Sequence, residues 1–211
     1  MTVSGIVVAG GQGTRFGSPK QFERLGDGSV VDRAVVTALA ACDHVAVVLP
    51  PDMQWDGDDG AVAVAGGERR SDSVRAGLAA VGEDADIVVV HDAARPLASK
   101  SLFDAVIGAV RAGADAAVPG LPVPDTLKRV DGTRVVETVT RQGLFAVQTP
   151  QAFRAAALRR AHAGEPDATD DAALVEAAGG TVVVVPGDPR NLKVTAPDDL
   201  AMAEALSRNA P

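Results

Sequence analysis

The run Ile87-Val88-Val89-Val90 contains no polar position, so a strand formed there must be covered on both faces. Shorter apolar runs repeat the demand. Gly5 to Val8 predicts a first strand, His44 to Leu49 a second, Ala61 to Ala65 a third and Asp86 to His91 a fourth. Ala114 to Pro119 and Thr181 to Val185 read as further strands, and Asn191 to Thr195 as a last short one. Helical spacing fills the intervals. Val30 to Ala41 predicts a helix. Ser71 reads as the cap of a helix with Val74, Leu78 and Val81 on one face, and Ser99 as the cap of one with Leu102, Val106 and Val110. Gln151 to Ala163 predicts a helix, Thr169 the cap of another ending at Ala178, and Pro197 the first position of the last. Such alternation specifies an α/β fold: a mostly parallel twisted sheet with helices on both faces, in one domain spanning residues 1–211. With aromatics at 3%, its core must be built from Val, Leu, Ile and Ala.

The rhythm breaks after Pro119. Three prolines (Pro119, Pro122, Pro124) lead into Leu127-Lys128-Arg129-Val130, then Asp131-Gly132, then Thr133 to Val139. An Asp-Gly pair between two alternating segments predicts a β-hairpin. The segment has too few apolar residues to bury both faces, so it reads as a protruding arm at about residues 122–148.

A formal charge of −8 argues against nucleic acid and anionic membranes as partners. A small polyanion requires positive charge gathered locally, and residues 1–22 hold Arg15 and Lys20 with no Asp or Glu. The single cysteine, Cys42, allows neither an intrachain disulfide nor a cysteine zinc cluster. The first residues lack a basic leader, and the apolar run from Gly5 to Ala9 is far below the roughly 20 residues of a membrane span. A soluble, cytoplasmic protein is expected.

Ligands of open α/β sheets bind beyond the carboxyl ends of the strands. The first strand runs into Ala9-Gly10-Gly11-Gln12-Gly13-Thr14-Arg15-Phe16-Gly17-Ser18-Pro19-Lys20. Glycines let successive N–H groups approach phosphate oxygens, and Arg15 and Lys20 add charge. A dinucleotide fingerprint needs Gly-x-Gly-x-x-Gly, but counting from Gly11 the third position is Phe16. A P-loop needs Gly-Lys before Ser or Thr, but Lys20 lies between Pro19 and Gln21.

Read as Ala9-Gly10-Gly11-x-Gly13-x-Arg15 followed by Pro19-Lys20-Gln21, the loop resembles that of the sugar-phosphate nucleotidyltransferases. Six further stretches narrow the resemblance to the 2-C-methyl-D-erythritol 4-phosphate cytidylyltransferase family. They are Gly66 to Val74, His91-Asp92-Ala93-Ala94-Arg95-Pro96, Asp125-Thr126-Leu127-Lys128, Gln148-Thr149-Pro150-Gln151, Ala168-Thr169-Asp170-Asp171 and Asn191-Leu192-Lys193-Val194-Thr195. The resemblance implies a Rossmann-like nucleotidyltransferase fold, Mg²⁺, and transfer of CMP from CTP to a polyol phosphate in non-mevalonate isoprenoid synthesis. By the same resemblance, Arg15 and Lys20 stabilise the transition state, while Arg141 and Lys193 position the acceptor phosphate. Ala9, Gly10, Gly11, Gly13, Thr14, Gly67, Ser73 and Asp92 contact the nucleotide, and Asp92 also holds the metal. Asp92, Arg95, Thr126, Arg141, Thr149, Thr169 and Lys193 contact the acceptor. The arm links a homodimer and carries Thr126 and Arg141 into the neighbouring site.

The residues agree with that chemistry on their own terms. A phosphate monoester has a second pKa near ~6 and needs no base to attack phosphorus. Three histidines and no nucleophile constellation suit such a reaction. Several positions also have plainer readings. Asp92 can be a turn aspartate, Lys193 an edge-strand lysine, and Thr169 a cap only. Glu68-Arg69-Arg70 can be surface charge, with Arg70 alternatively a motif arginine. Asp84-Ala85-Asp86 precedes its strand and so sits at the wrong end for the ligand. His91 reads as structural, and Trp55 as a partly exposed loop anchor. A cytidylyltransferase for ribitol 5-phosphate and a non-catalytic nucleotide-binding module are the rival functions.

Overall fold

The computed structural model describes residues 1–11, 19–168 and 170–208. In chain order its elements are β1 (Val3–Val8), β2 (Arg24–Leu25), β3 (Gly28–Ser29), α1 (Val30–Leu39), β4 (His44–Leu49), β5 (Ala61–Ala65) and α2 (Arg70–Ala80). There follow β6 (Ile87–Asp92), α3 (Lys100–Arg111), β7 (Ala116–Pro122), β8 (Leu127–Asp131), β9 (Arg134–Val139), β10 (Phe145–Val147) and β11 (Gln151–Arg154). The chain closes with α4 (Ala155–His162), α5 (Asp171–Ala177), β12 (Val182–Pro186) and α6 (Pro197–Arg208).

Among the described residues eight strands form the main sheet. β6, β1, β4 and β5 run parallel in that order. β12 lies parallel to β7 along one of its edges. Down the other edge of β7 run β10 and then β11, both antiparallel to it, and β11 also pairs antiparallel with β6. The fold is therefore the expected α/β type with a mostly parallel sheet. Alternate strand residues serve opposite faces. Val3, Val7, Val47, Val89 and Ala117 pack with Val35 of α1 and Phe103 and Val106 of α3. Ile6, Val48, Val88, Val90 and Phe153 pack with Val74 and Leu78 of α2, Leu158 of α4 and Val175 of α5.

Four local expectations are corrected. Gln151 to Arg154 is strand, not the start of a helix, because the segment fills the gap between β6 and β7, with Gln151 opposite Val90 and Ala152 opposite Ala117. Asn191 to Thr195 is irregular, although Val194 is buried and its N–H donates to the Ala94 carbonyl at 2.8 Å. α2 begins before Ser71: Arg69 is its cap, and the Asp72 carboxylate reaches back to the Arg69 N–H at 3.1 Å. Ser71 is instead buried inside the first turn. α5 is capped at Asp170, and Thr169 lies outside the described residues. The Ser99 cap and the Pro197 start stand as expected.

Among the described residues β8 and β9 pair only with each other, antiparallel from Leu127 opposite Val139 to Asp131 opposite Arg134. Among the described residues no helix is long and apolar enough to cross a membrane.

Candidate active site

The parallel strands β1, β4, β5 and β6 end on one edge of the sheet, and Val8 at the end of β1 stands opposite Asp92 at the end of β6. Three backbone turns meet there: Ala9 to Gly11 after β1, Gly66-Gly67 after β5, and the residues after Asp92. Gln21, 3% exposed, stitches the first turn from inside, its Nε2 donating to the carbonyls of Ala9 at 2.8 Å and Gly11 at 2.9 Å. Ser73 in α2 holds the second. Its Oγ accepts from the Gly67 N–H at 3.3 Å and donates to the Arg69 carbonyl at 3.3 Å. A side chain at Gly66 would come within 2.7 Å of that hydroxyl, so only glycine permits the approach.

Asp92 is the electrostatic centre. Lys193 Nζ donates to its Oδ2 at 2.6 Å, and Arg70 Nε and Nη2 both approach its Oδ1 at 3.4 Å. Burial alone would raise this carboxyl, but Arg70 and then Lys193 outweigh burial and hold it at about 2. The Asp92 N–H donates to Thr149 Oγ1 at 3.0 Å, and that hydroxyl meets His91 Nδ1 at 3.2 Å. His91 is fully buried and packs on Phe103 with ring centroids 5.2 Å apart. Burial lowers it to about 4, so it stays neutral and structural, as the sequence suggested.

Two cavities share this centre. One, of about 260 Å³, is lined by Ala9, Gly10, Gly11, Gln21, Gly67 and Ser73, with Lys20, Arg69, Arg70 and Lys193 facing Glu68 and Asp92. Its charge balance is positive in a chain whose formal charge is −8. The second, also about 260 Å³, is lined by Arg95, Gln148, Thr149, Gln151 and Asp170. Arg70, Asp92 and Lys193 line both and form the wall between them. Arg95 is oriented by donating from Nη1 to the Asn191 carbonyl at 2.7 Å.

Of the residues singled out in the sequence, Ala9, Gly10, Gly11, Lys20, Gly67 and Ser73 thus gather in the first cavity, Arg95 and Thr149 in the second, and Asp92 and Lys193 between them. Lys193 sits in irregular chain rather than an edge strand. Gly13, Thr14, Arg15 and Thr169 lie outside the described residues. Thr126 and Arg141 flank the base of the β8–β9 hairpin, are exposed, and line neither cavity. Sequence reasoning did not assign Arg70, Gln21 or Asp171 to the site. Arg70 is part of no surface trio: its Nη1 donates to Asp171 Oδ2 at 2.6 Å. Trp55 is anchored as expected, its Nε1 donating to Asp32 Oδ1 at 2.8 Å. Asp86 bonds the Thr2 N–H at 2.7 Å, at the start of β6 and away from the cavities.

A family model described as 2-C-methyl-D-erythritol 4-phosphate cytidylyltransferase matches residues 3–209. A protein of that name from Nocardia farcinica is 46% identical over 97% of this chain and 94% of its own length. The bifunctional enzyme IspD/IspF of Anaeromyxobacter dehalogenans is 47% identical over 97% of the chain, which spans 56% of that enzyme's length. The crystal structure of 2-C-methyl-D-erythritol 4-phosphate cytidylyltransferase from Thermus thermophilus superposes with a TM-score of 0.86 at 38% identity, covering 99% of this chain and all of that one.

Proposed function

The chain belongs to the 2-C-methyl-D-erythritol 4-phosphate cytidylyltransferase family and transfers CMP from CTP to that polyol phosphate, and from this premise we propose how its residues divide the work. The observation that carries the reading is the pair of cavities sharing one charged wall of Arg70, Asp92 and Lys193. CTP occupies the first, its phosphates against the backbone of Ala9, Gly10 and Gly11 and its nucleoside side towards Gly67 and Ser73. The acceptor occupies the second, with Arg95 and Thr149. The acceptor phosphate, a dianion above its second pKa near ~6, attacks the α-phosphorus in line; the bond to the β-phosphate oxygen breaks and pyrophosphate leaves. The side chains have only to neutralise charge and align the reactants. Lys20 acts on the transferring phosphoryl group, together with Arg15. Lys193, 44% exposed at its side chain, is able to leave Asp92 for the acceptor phosphate.

Mg²⁺ belongs to this reading, with Asp92 as its protein ligand. The donor suits it: Asp92 is a hard oxygen donor that remains ionised, and Mg²⁺ commonly takes one or two carboxylates with substrate phosphates and water completing its shell. When bound, the ion supplies charge neutralisation and a template for the phosphates. A homodimer belongs to it as well. Val130, Val135 and Val136 of the hairpin are each more than half exposed, and a lone hairpin is marginal in water. A second subunit covering the arm would bring Thr126 and Arg141 to its own cleft. We also assign the reaction to the cytoplasm, in keeping with a single cysteine, Cys42, which is free and can form no intrachain disulfide.

The test is pyrophosphate release with CTP, Mg²⁺ and either 2-C-methyl-D-erythritol 4-phosphate or ribitol 5-phosphate. Release with the first alone is expected. Lys20→Ala should lower kcat by about 100-fold or more while the protein still binds CTP. Release with ribitol 5-phosphate alone would overturn the acceptor assignment, and full turnover by Lys20→Ala would overturn the role given to that lysine.

A further inference from the structure

The Arg70 guanidinium is shared unequally between two carboxylates. Nη1 donates to Asp171 at 2.6 Å, whereas its two approaches to Asp92 are both 3.4 Å. Asp171 is the more deeply buried acid, its side chain 1% exposed. A carboxylate so placed needs partners for both oxygens. The second oxygen, Oδ1, faces His162 Nε2 at 2.9 Å. The carboxylate only accepts, so the ring proton is assigned to Nε2. His162 ends α4, is buried, and lines neither cavity. Among the described residues its Nδ1 is buried without a hydrogen-bond partner, and the Asp171 contact is the ring's hydrogen bond.

We propose that His162 is a positioning residue for the reaction centre: it holds Asp171, Asp171 fixes Arg70, and Arg70 sets the Asp92 carboxylate between nucleotide and acceptor. The inference rests on the reading of Asp92 given above. The contacts run unbroken from α4 through the first residue of α5 and the first residue of α2 to the end of β6. They join helices packed on one face of the sheet to the carboxyl edge where the cavities open. With Arg70 held by Asp171 at 2.6 Å and standing 3.4 Å from Asp92, Lys193 is that acid's nearer partner before the acceptor binds. Without the His162 N–H, Asp171 is left one donor short and Arg70 is pulled off its position beside Asp92. The cavity walls do not include His162 and keep their shape.

His162→Asn puts its amide where Nδ1 stands and falls short of Asp171, whereas His162→Gln carries an N–H to the place of Nε2. We expect His162→Asn to lower kcat about 10-fold or more, with KM for CTP and for the acceptor within about twofold, and His162→Gln to restore most of the loss. Both are measured per folded molecule, with the folded fraction taken from circular dichroism. Asp171→Asn should give a comparable loss, and the double variant should fall no further than the worse single one. Wild-type kcat in folded His162→Asn, or equal loss in the Asn and Gln variants, overturns the proposal. If His162→Asn does not fold, Asp171→Asn decides alone, and wild-type kcat there overturns it. Asp92→Asn is the control. If it is fully active, the reading of the site itself falls; if it is inactive beside a wild-type His162→Asn, only the positioning role falls.

Discussion

Gln21 shows how one buried side chain can shape a glycine-rich turn from inside. Its amide is buried and donates to carbonyls at both ends of the Ala9–Gly11 turn. Gln21→Ala leaves those carbonyls short of a partner, at a cost of about 1–3 kcal/mol. We expect a raised KM for CTP with the acceptor KM unchanged; an unaltered CTP titration would mean the turn holds itself. Asp92 makes a different claim at this scale. Held at about 2, it is ionised throughout the working range. The acid limb of kcat/KM should therefore follow the acceptor phosphate near ~6. A phosphonate acceptor, whose second pKa is higher, should move that limb upward; a limb that stays put belongs to the protein instead. The glycine loop and Lys20 were legible because a long loop carrying two cations and no acid is unusual for a plain strand-to-helix connection, whereas Asp92 and Lys193, each with a plainer reading by itself, stood out through the position and motifs around them. Arg70 and Asp171 were not, since their pairing spans 101 residues and neither differs in sequence from surface charge.

At the scale of elements, close packing is concentrated where α2 crosses β1. A methyl group at Gly77 would intrude on Ile6, a core residue with no exposure. Gly77→Ala gains helix propensity, yet the overpacking is expected to destabilise by about 1–3 kcal/mol, readable as a lower denaturant midpoint. A stability equal to wild type would mean that α2 can shift outward without penalty. The parallel strands could be read from the sequence because each is a continuous apolar run bounded by turns. β11 could not. Gln151 to Arg154 has no strand pattern of its own, and its pairing is imposed by the open edges of β6 and β7. The opposite error at Asn191 to Thr195 has the same origin: Val194 is buried with Leu25, Val30 and Ala203, and among the described residues its segment pairs with no strand.

At the scale of the whole molecule, acid stability and the proposed assembly are both open to test. His91 takes a proton near 6.5 when unfolded but only at about 4 in the fold. Between those values the unfolded chain binds more protons, so stability should fall as pH drops from 6.5 to 4, by on the order of 3 kcal/mol from this group. His91→Asn should be weaker at pH 7.5 but should lose less on acidification; an unchanged acid slope would clear His91. The proposed homodimer would tie assembly to activity: Thr126 and Arg141 stand at the base of a hairpin that, among the described residues, pairs only with itself, outside both cavities. If the arm serves the neighbouring subunit, Lys20→Ala and Arg141→Ala damage one site from opposite chains. Each variant alone should be nearly inactive. In a mixed dimer one site then combines both defects and the other combines neither. Subunits exchanged at equal amounts should regain about one quarter of wild-type activity, half of the dimers being mixed and half of their sites intact. Mixing without recovery, with exchange verified by a tagged subunit, would mean that each chain completes its own site and that the arm serves another purpose.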